Sequence, residues 1–130
     1  MTDASRTRRL HPAVAFALDL VLVLVFCAIG RASHDEAVFG PGYIVTAWPF
    51  VAGLLAGTLV ALAFRRPLER VAAGAIVWIA AVAGGMILRG VSGQGTALPF
   101  VIVATISLAV LLFGWRLAAL AVRRAQRERA

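Results

Sequence analysis

One carboxylate stands inside a long apolar run near the start of the chain. Asp19 lies six residues past Ala13, which is ~9 Å along a helix at ~1.5 Å per residue. A carboxylate at that depth costs several kcal/mol unless it is paired, protonated or hydrated. Arg116 lies at a similar depth in the last apolar segment, so the two side chains could meet. We favour a buried structural ion pair over a proton- or cation-coupling acid; an Asp19 that simply reaches the interface is the third interpretation.

A second group of polar residues follows the first and third apolar segments. Arg31, His34, Arg89 and Gln94 could form an outer vestibule that attracts an anionic ligand or a lipid headgroup. The competing interpretation, which we favour, is ordinary solvation of helix ends, with ion pairs to the neighbouring acidic residues.

Patterns typical of catalytic and metal sites are missing from the sequence. His34, Asp35 and Glu36 are adjacent, and three adjacent residues do not converge on one ion without a particular turn. The glycine-rich segment 90–95 lacks the Lys-Ser/Thr ending of a phosphate-binding loop. No Ser–His–Asp or paired-carboxylate arrangement occurs, and the lone Cys27 cannot form an intramolecular disulfide. We therefore expect no enzyme activity, no metal and no cofactor.

Four apolar segments must position these side chains, since 62% of the 130 residues are hydrophobic. The segments are of similar length: 13–30, 45–64, 71–88 and 97–119. A helix of about 20 apolar residues matches the hydrocarbon core of a bilayer, ~30 Å thick. The sequence predicts an all-α integral membrane four-helix bundle over residues 13–120, made of two helical hairpins. It is flanked by a tail at 1–12 and a basic tail at 121–130.

The arginines are distributed unevenly between the ends of these segments. Eleven of the thirteen precede the first segment, fill the link between the second and third, or close the fourth. Only Arg31 and Arg89 lie on the alternate connections. Because basic residues stay on the cytoplasmic side, this predicts a multi-pass protein of the cell membrane with both termini in the cytoplasm. A cleaved signal peptide at 1–30 is not expected, since the apolar run is too long and contains Asp19.

The net charge of +7 does not indicate nucleic-acid binding. The basic residues flank apolar segments, and no nucleic-acid motif is present. They favour contact with anionic lipid, worth ~1 kcal/mol per arginine near the surface. Arg116, Arg123 and Arg127 would share one side of a continued fourth helix. All thirteen basic residues are arginine, which together with abundant Ala and Val is typical of a GC-rich bacterial genome.

Glycines mark two of the segments as close neighbours. Gly53 and Gly57 have GxxxG spacing in the second segment, and Gly84 and Gly85 lie in the alanine-rich third. Small residues let helix backbones approach closely in lipid. We expect the second and third helices to pack tightly, either within one bundle or across a homo-oligomer interface.

The second and fourth segments open with similar sequences, TAWPF at 46–50 and TALPF at 96–100. Thr46 and Thr96 are expected to cap helix N-termini. Pro49 and Pro99 are expected in the first turns, where a missing N–H costs nothing. An internal duplication and two similar caps at similar entrances explain this echo equally well.

Short motifs occur in a fixed order along most of the chain, from about 13 to 118. They are Asp19; Gly30-Arg31-x-Ser33-His34; Thr46-Ala47-Trp48-Pro49-Phe50-x-x-Gly53; Trp78; Gly85-Met86-x-x-Arg89; Gly93-x-Gly95; and Gly114-Trp115-Arg116. In these motifs the chain resembles the uncharacterised prokaryotic family numbered 3054 among the domains of unknown function. The resemblance implies a four-helix membrane protein and no established activity.

Two functions fit these observations. The first is a small transporter or permeation subunit, with Asp19 as its coupling acid and Arg31 and Arg89 at the outer entrance. It would be oligomeric, because the chain is too small to enclose a wide path alone. Small multidrug transporters, four-helix chains with an acid in the first helix, are an architectural analogy. The alternative is a non-transporting membrane module that binds lipid or a partner protein through its small-residue surfaces and basic tail.

Overall fold

The computed structural model describes residues 9–129, and in that range the chain is entirely helical with short connections. The four helices are α1 (Pro12–Ser33), α2 (Pro41–Ala63), α3 (Val71–Val91) and α4 (Leu98–Arg129). Each is long and apolar enough to cross a membrane. The predicted all-α four-helix bundle is therefore confirmed.

Local chemistry explains where the first two helices begin. The His11 side chain accepts a hydrogen bond from the Ala13 N–H at 3.1 Å, and Pro12 follows it in the first turn of α1. The α2 helix begins at Pro41, directly after Gly40, whose φ of 123° suits glycine. The prediction that Thr46 caps this helix is wrong. Because α2 starts five residues earlier, Pro49 lies inside the helix rather than in its first turn.

The helices form a ring in chain order. Each helix contacts the next one along the chain, and α4 closes the ring against α1. Across the α2–α4 diagonal, the Phe50 and Phe100 rings lie 6.2 Å apart, centroid to centroid. The α2–α3 interface is the most extensive and the α1–α4 interface the least. The basic end of the bundle holds the start of α1, the linker 64–70 and the end of α4. The opposite end holds the connections 34–40 and 92–97.

Apolar side chains fill the centre of the ring. Phe50, Leu54, Leu108 and Leu112 are fully buried, and the Phe26 ring meets Phe50 edge-on with 5.5 Å between centroids. Large apolar residues also cover the outside, among them Val21, Leu59, Ile79, Ile106 and Val110. A surface of this kind suits lipid rather than water.

Glycines bring the backbones of α2 and α3 into direct contact. A Cβ on Gly53 would lie 2.6 Å from the Ala80 carbonyl oxygen, and a Cβ on Gly57 would lie 2.7 Å from the Ala80 Cβ. Gly84 faces Gly53 so closely that its own Cβ would be 3.2 Å from the Gly53 Cα. Gly85 leaves room for the Phe50 ring. The four glycines singled out in the sequence thus all lie where these two helices meet.

Hydrogen bonds from aromatic residues join the other helices. The Tyr43 hydroxyl of α2 donates to the Leu24 carbonyl of α1 at 2.7 Å. The Trp78 indole of α3 donates to the Thr105 carbonyl of α4 at 3.0 Å. Each bond satisfies a polar group inside an apolar environment.

Candidate functional site

Asp19 of α1 and Arg116 of α4 meet side by side near the basic end of the bundle. The Asp19 Oδ2 accepts from Arg116 Nη2 at 2.7 Å, and its Oδ1 accepts from Nη1 at 2.9 Å. The side chains are 1% and 0% exposed. This is the bidentate geometry in which a guanidinium binds a carboxylate most strongly.

Three further hydrogen bonds complete the ion pair. Arg116 Nε donates to the Leu68 carbonyl at 2.9 Å, and Nη1 donates to the Leu112 carbonyl at 2.8 Å. The Trp115 indole donates to Asp19 Oδ1 at 2.8 Å. Four of the five N–H groups of the guanidinium are therefore used. Such saturation offsets the cost of removing two charges from water.

Small and flat neighbours create the space that the guanidinium occupies. A Cβ on Gly74 of α3 would lie 2.7 Å from Arg116 Cδ, so the absence of a side chain there admits the arginine. The Trp115 ring lies beneath the guanidinium, with 4.6 Å from its centroid to Cζ. Leu68, whose carbonyl accepts from Nε, belongs to the linker between α2 and α3. The pair consequently binds together α1, α4 and that linker.

A cavity of about 620 Å³ opens at the basic end, on the other side of Arg116. Its lining combines the linker, the start of α3 and the end of α4: Arg9, Arg66, Pro67, Glu69, Arg70, Val71, Ala72, Arg116, Ala119, Leu120, Arg123, Arg124 and Arg127. Arg116, Arg123 and Arg127, which the sequence placed on one side of a helix, all belong to this lining. We call this space the arginine cavity.

Positive charge dominates the arginine cavity. Among residues 9–129, seven arginines and a single acidic residue, Glu69, line it. Arg116 is neutralised by Asp19, and Glu69 lies 3.5 Å from Arg123 Nη2 with only 2% of its side chain exposed. Five arginines are left in excess around one space, an arrangement that attracts anions.

At the opposite end of the bundle, Arg31 closes its own connection. Its Nε donates to the Ala37 carbonyl at 2.6 Å, and its Nη1 donates to the Gly42 carbonyl at 3.0 Å and to Thr46 Oγ1 at 2.9 Å. Glu36 lies 3.0 Å from the same Nη1. These contacts fix the entry into α2.

Arg89 closes the second connection, residues 92–97, by similar contacts. Its Nε donates to the Gly95 carbonyl at 3.0 Å, Nη1 donates to Gln94 Oε1 at 2.9 Å, and the guanidinium lies 4.3 Å from the Phe100 ring centroid. Gln94 then donates to the Val45 carbonyl at 3.0 Å, which ties this connection to the start of α2.

The residues considered for an outer vestibule are thus only partly brought together. Arg89 and Gln94 are bonded to each other, whereas Arg31 bonds to its own connection and to the start of α2. His34 is exposed at the C-terminal cap of α1. Within residues 9–129, no group of three His, Cys, Asp or Glu side chains could hold a metal ion.

Two partners of the ion pair were missed by sequence reasoning. The position of Trp115 next to Arg116 was a usable signal, since two consecutive side chains of one helix can reach the same carboxylate. The Leu68 carbonyl leaves no signal in the sequence, because any residue of the linker offers the same backbone oxygen. The arginine cavity itself depends on how the linker packs against α4.

Comparison with known proteins gives one match. The model of a family described as "Protein of unknown function (DUF3054)" matches residues 16–119. No curated protein and no solved structure matches the chain. The family match covers all of α2 and α3, α1 from residue 16 and α4 up to residue 119, so it includes Asp19 and Arg116.

Proposed function

The chain belongs to the DUF3054 family, and on that premise we propose that it is a non-transporting multi-pass protein of the cell membrane that binds anionic lipid at its basic end. The observation that carries the proposal is the arginine cavity, with five guanidinium charges in excess at one end of a membrane-spanning bundle. Arginines near a bilayer surface attract anionic headgroups by ~1 kcal/mol each.

The arginine distribution supports an orientation with both termini in the cytoplasm. The start of α1, the linker 64–70 and the end of α4 lie at the same end, and nine of the eleven arginines within residues 9–129 belong to or border these segments. Basic residues are retained on the cytoplasmic side during insertion. The two arginines of the opposite end are used to close connections, so they add little to a basic surface there.

The state of Asp19 argues against a coupling acid. Both of its carboxylate oxygens accept charge-assisted bonds, and its side chain is 1% exposed. A transported proton or cation would have to displace Arg116, leaving a buried guanidinium without a counter-charge, which costs about 3–5 kcal/mol. The proposal accordingly assigns Asp19 to structure. It includes no enzyme activity, cofactor, metal or nucleic-acid partner.

Lipid binding is tested with protein extracted from membranes of known composition. Nanodiscs containing phosphatidylcholine and phosphatidylglycerol should show phosphatidylglycerol enriched around the purified protein, measured by native mass spectrometry of the lipids retained after mild extraction. Equal retention of the two lipids would contradict the proposal. Empty and protein-containing liposomes should also have the same proton flux, reported by an internal pH-sensitive dye.

The orientation has its own test. Ser92→Cys, at the connection before α4, should react with a membrane-impermeant maleimide on intact cells, whereas Ala125→Cys should react only after lysis. Cys27 is buried, so a Cys27→Ala background removes its signal without changing an exposed residue. The reverse labelling pattern would overturn the orientation.

A small transporter remains the second candidate because Arg116 lines the arginine cavity while it binds Asp19. The Arg116 side chain is 0% exposed, so water in that cavity would reach the ion pair only if the cavity opened further. On this reading, a homo-oligomer would supply the rest of a path. Flux that follows a pH gradient and disappears in Asp19→Asn, at unchanged protein stability, would favour the transporter over the lipid-binding module.

A further inference from the structure

We infer that the arginine cavity is a discrete site for one organic phosphate, a phosphate ester with a small polar group attached. This inference rests on the proposed function only because that function places the basic end at a membrane surface, where such anions occur. A diffuse attraction to lipid needs no cavity. A shaped space lined on several sides by arginines predicts instead one ligand held at fixed contacts.

The size of the cavity indicates more than a bare ion. Its volume of about 620 Å³ falls within the range of small-molecule sites, roughly 300–1,000 Å³. A phosphate alone would leave most of that space to water. A phosphate ester with an attached polyol or similar headgroup uses it better.

The choice of side chains indicates phosphate. Arginine presents a planar fork of N–H donors that matches two oxygens of a phosphate, and it stays charged at any physiological pH. Arg66 and Arg70 come from the linker side, and Arg124 and Arg127 come from α4. Charges placed on two sides of one cavity can bind one anion from opposite directions, which a single basic helix face cannot do.

The start of α3 adds backbone donors to the same cavity. Its first helical hydrogen bond runs from the Gly74 N–H to the Arg70 carbonyl, so the amides of Val71 and Ala72 lie before the intrahelical ladder. No side chain caps this helix, and no acidic residue occupies its first turn. Val71 and Ala72 line the cavity beside the arginines, where the positive end of the helix dipole supports the same anion.

The occupant could reach the site from two sources with one chemistry. A phospholipid headgroup would enter sideways from the leaflet, and a soluble phosphate ester would enter from water. Both present a phosphate diester or monoester with a polar substituent.

Purified protein in neutral detergent is titrated with sn-glycerol 3-phosphate by calorimetry, with glycerol as the uncharged control. We expect one saturable site for the phosphate ester and no heat from glycerol. Arg70→Gln and Arg124→Gln should each weaken binding about tenfold, as the loss of one charge-assisted contact predicts. Arg65→Gln and Arg129→Gln remove the same charge from arginines outside the cavity lining, so they should change affinity less than twofold. All four side chains are exposed, so folding is maintained.

Added phosphatidylglycerol identifies the source. If it displaces sn-glycerol 3-phosphate and phosphatidylcholine does not, the site takes a lipid headgroup; if neither lipid displaces it, the site takes a soluble ester. Absence of saturable binding, or equal losses in the cavity and control variants, would overturn the inference. A protein that transports protons yet binds through Arg70 would refute the proposed function and leave this site standing.

Discussion

The α2–α3 interface is built by glycines that let two backbones touch, whereas the α1–α4 interface is built around one ion pair. At Gly53 and Gly57 the neighbouring helix lies within contact distance of where a Cβ would be. Between Asp19 and Arg116, polar atoms bridge helices whose backbones are in the least contact. Lipid offers no hydrophobic force between helices, so association depends on close packing or on polar bonds. In this bundle, the α2–α3 interface depends on close packing and the α1–α4 interface on polar bonds.

The two interfaces should therefore fail in different ways. A glycine interface fails when volume is added, and charge is irrelevant to it. An ion-pair interface fails when one partner is removed, and it recovers when both are replaced by apolar residues.

The largest effect is expected from removing half of the ion pair. Asp19→Asn should destabilise the bundle by about 3–5 kcal/mol, because the buried Arg116 loses its counter-charge. Asp19→Leu and Arg116→Met should each be destabilising alone, whereas the double variant that combines them should lie close to the parent. Unfolding in detergent, followed by circular dichroism, measures each of these effects. Losses that simply add would show that the two residues act independently.

The second effect concerns volume in the glycine interface. Gly53→Ala should destabilise the bundle by about 1–3 kcal/mol. The new Cβ would clash with the backbone of α3, which cannot move away as a flexible side chain can. Gly114→Ala is the matched control in α4, with nothing within 4 Å of its Cβ. It should stabilise the helix by about 0.5–1 kcal/mol. Equal effects of the two changes in the same unfolding assay would refute close packing as the basis of this interface.

A smaller effect is expected at the hydrogen bond from Trp115. Trp115→Phe should cost about 1 kcal/mol, within the range of polar bonds between membrane helices. Trp78→Phe is the comparison, because its indole donates to the neutral Thr105 carbonyl rather than to a carboxylate. Charge-assisted bonds are roughly twice as strong, so the Trp115 variant should melt at the lower temperature. The opposite order would show that the indole adds nothing to the ion pair.

The smallest expected effect is the energetic coupling between α3 and the ion pair. Gly74→Ala would place a Cβ against Arg116 Cδ, so its cost should depend on the arginine. In a double-mutant cycle with Arg116→Met, we expect a coupling energy of about 0.5–1 kcal/mol. Gly90→Ala, with open space around it, should show no coupling. A zero value for Gly74 would mean that α3 does not position the ion pair.

Hydropathy was sufficient to predict the four-helix fold. Apolar runs of about 20 residues specify membrane helices because the bilayer leaves few alternatives. The regular rise of a helix also allowed the depth of each residue in the membrane to be estimated. Asp19 and Arg116 were expected at a similar depth for this reason. The start of α2 was less predictable, since Pro41 and Gly40 form a helix start that a hydropathy pattern does not register.

The parts of the site that could not be predicted are those that depend on packing. The Leu68 carbonyl and the arginine cavity arise from the path of the linker against α4, and residue type alone does not determine that path. The roles of Arg31 and Arg89 are similar. Their spacing to backbone carbonyls within their own connections becomes visible only when those connections are folded.

The distance between Asp19 and Arg116 along the chain, 97 residues, has a consequence for biosynthesis. The first helix leaves the ribosome long before its counter-charge has been made. During that interval an unpaired acid in the hydrocarbon core costs several kcal/mol. Only when the last helix arrives can the first be fully stable in the membrane. The last helix therefore supplies an ion-pair partner that the first three helices lack. A chain truncated before this helix carries an exposed intramembrane acid.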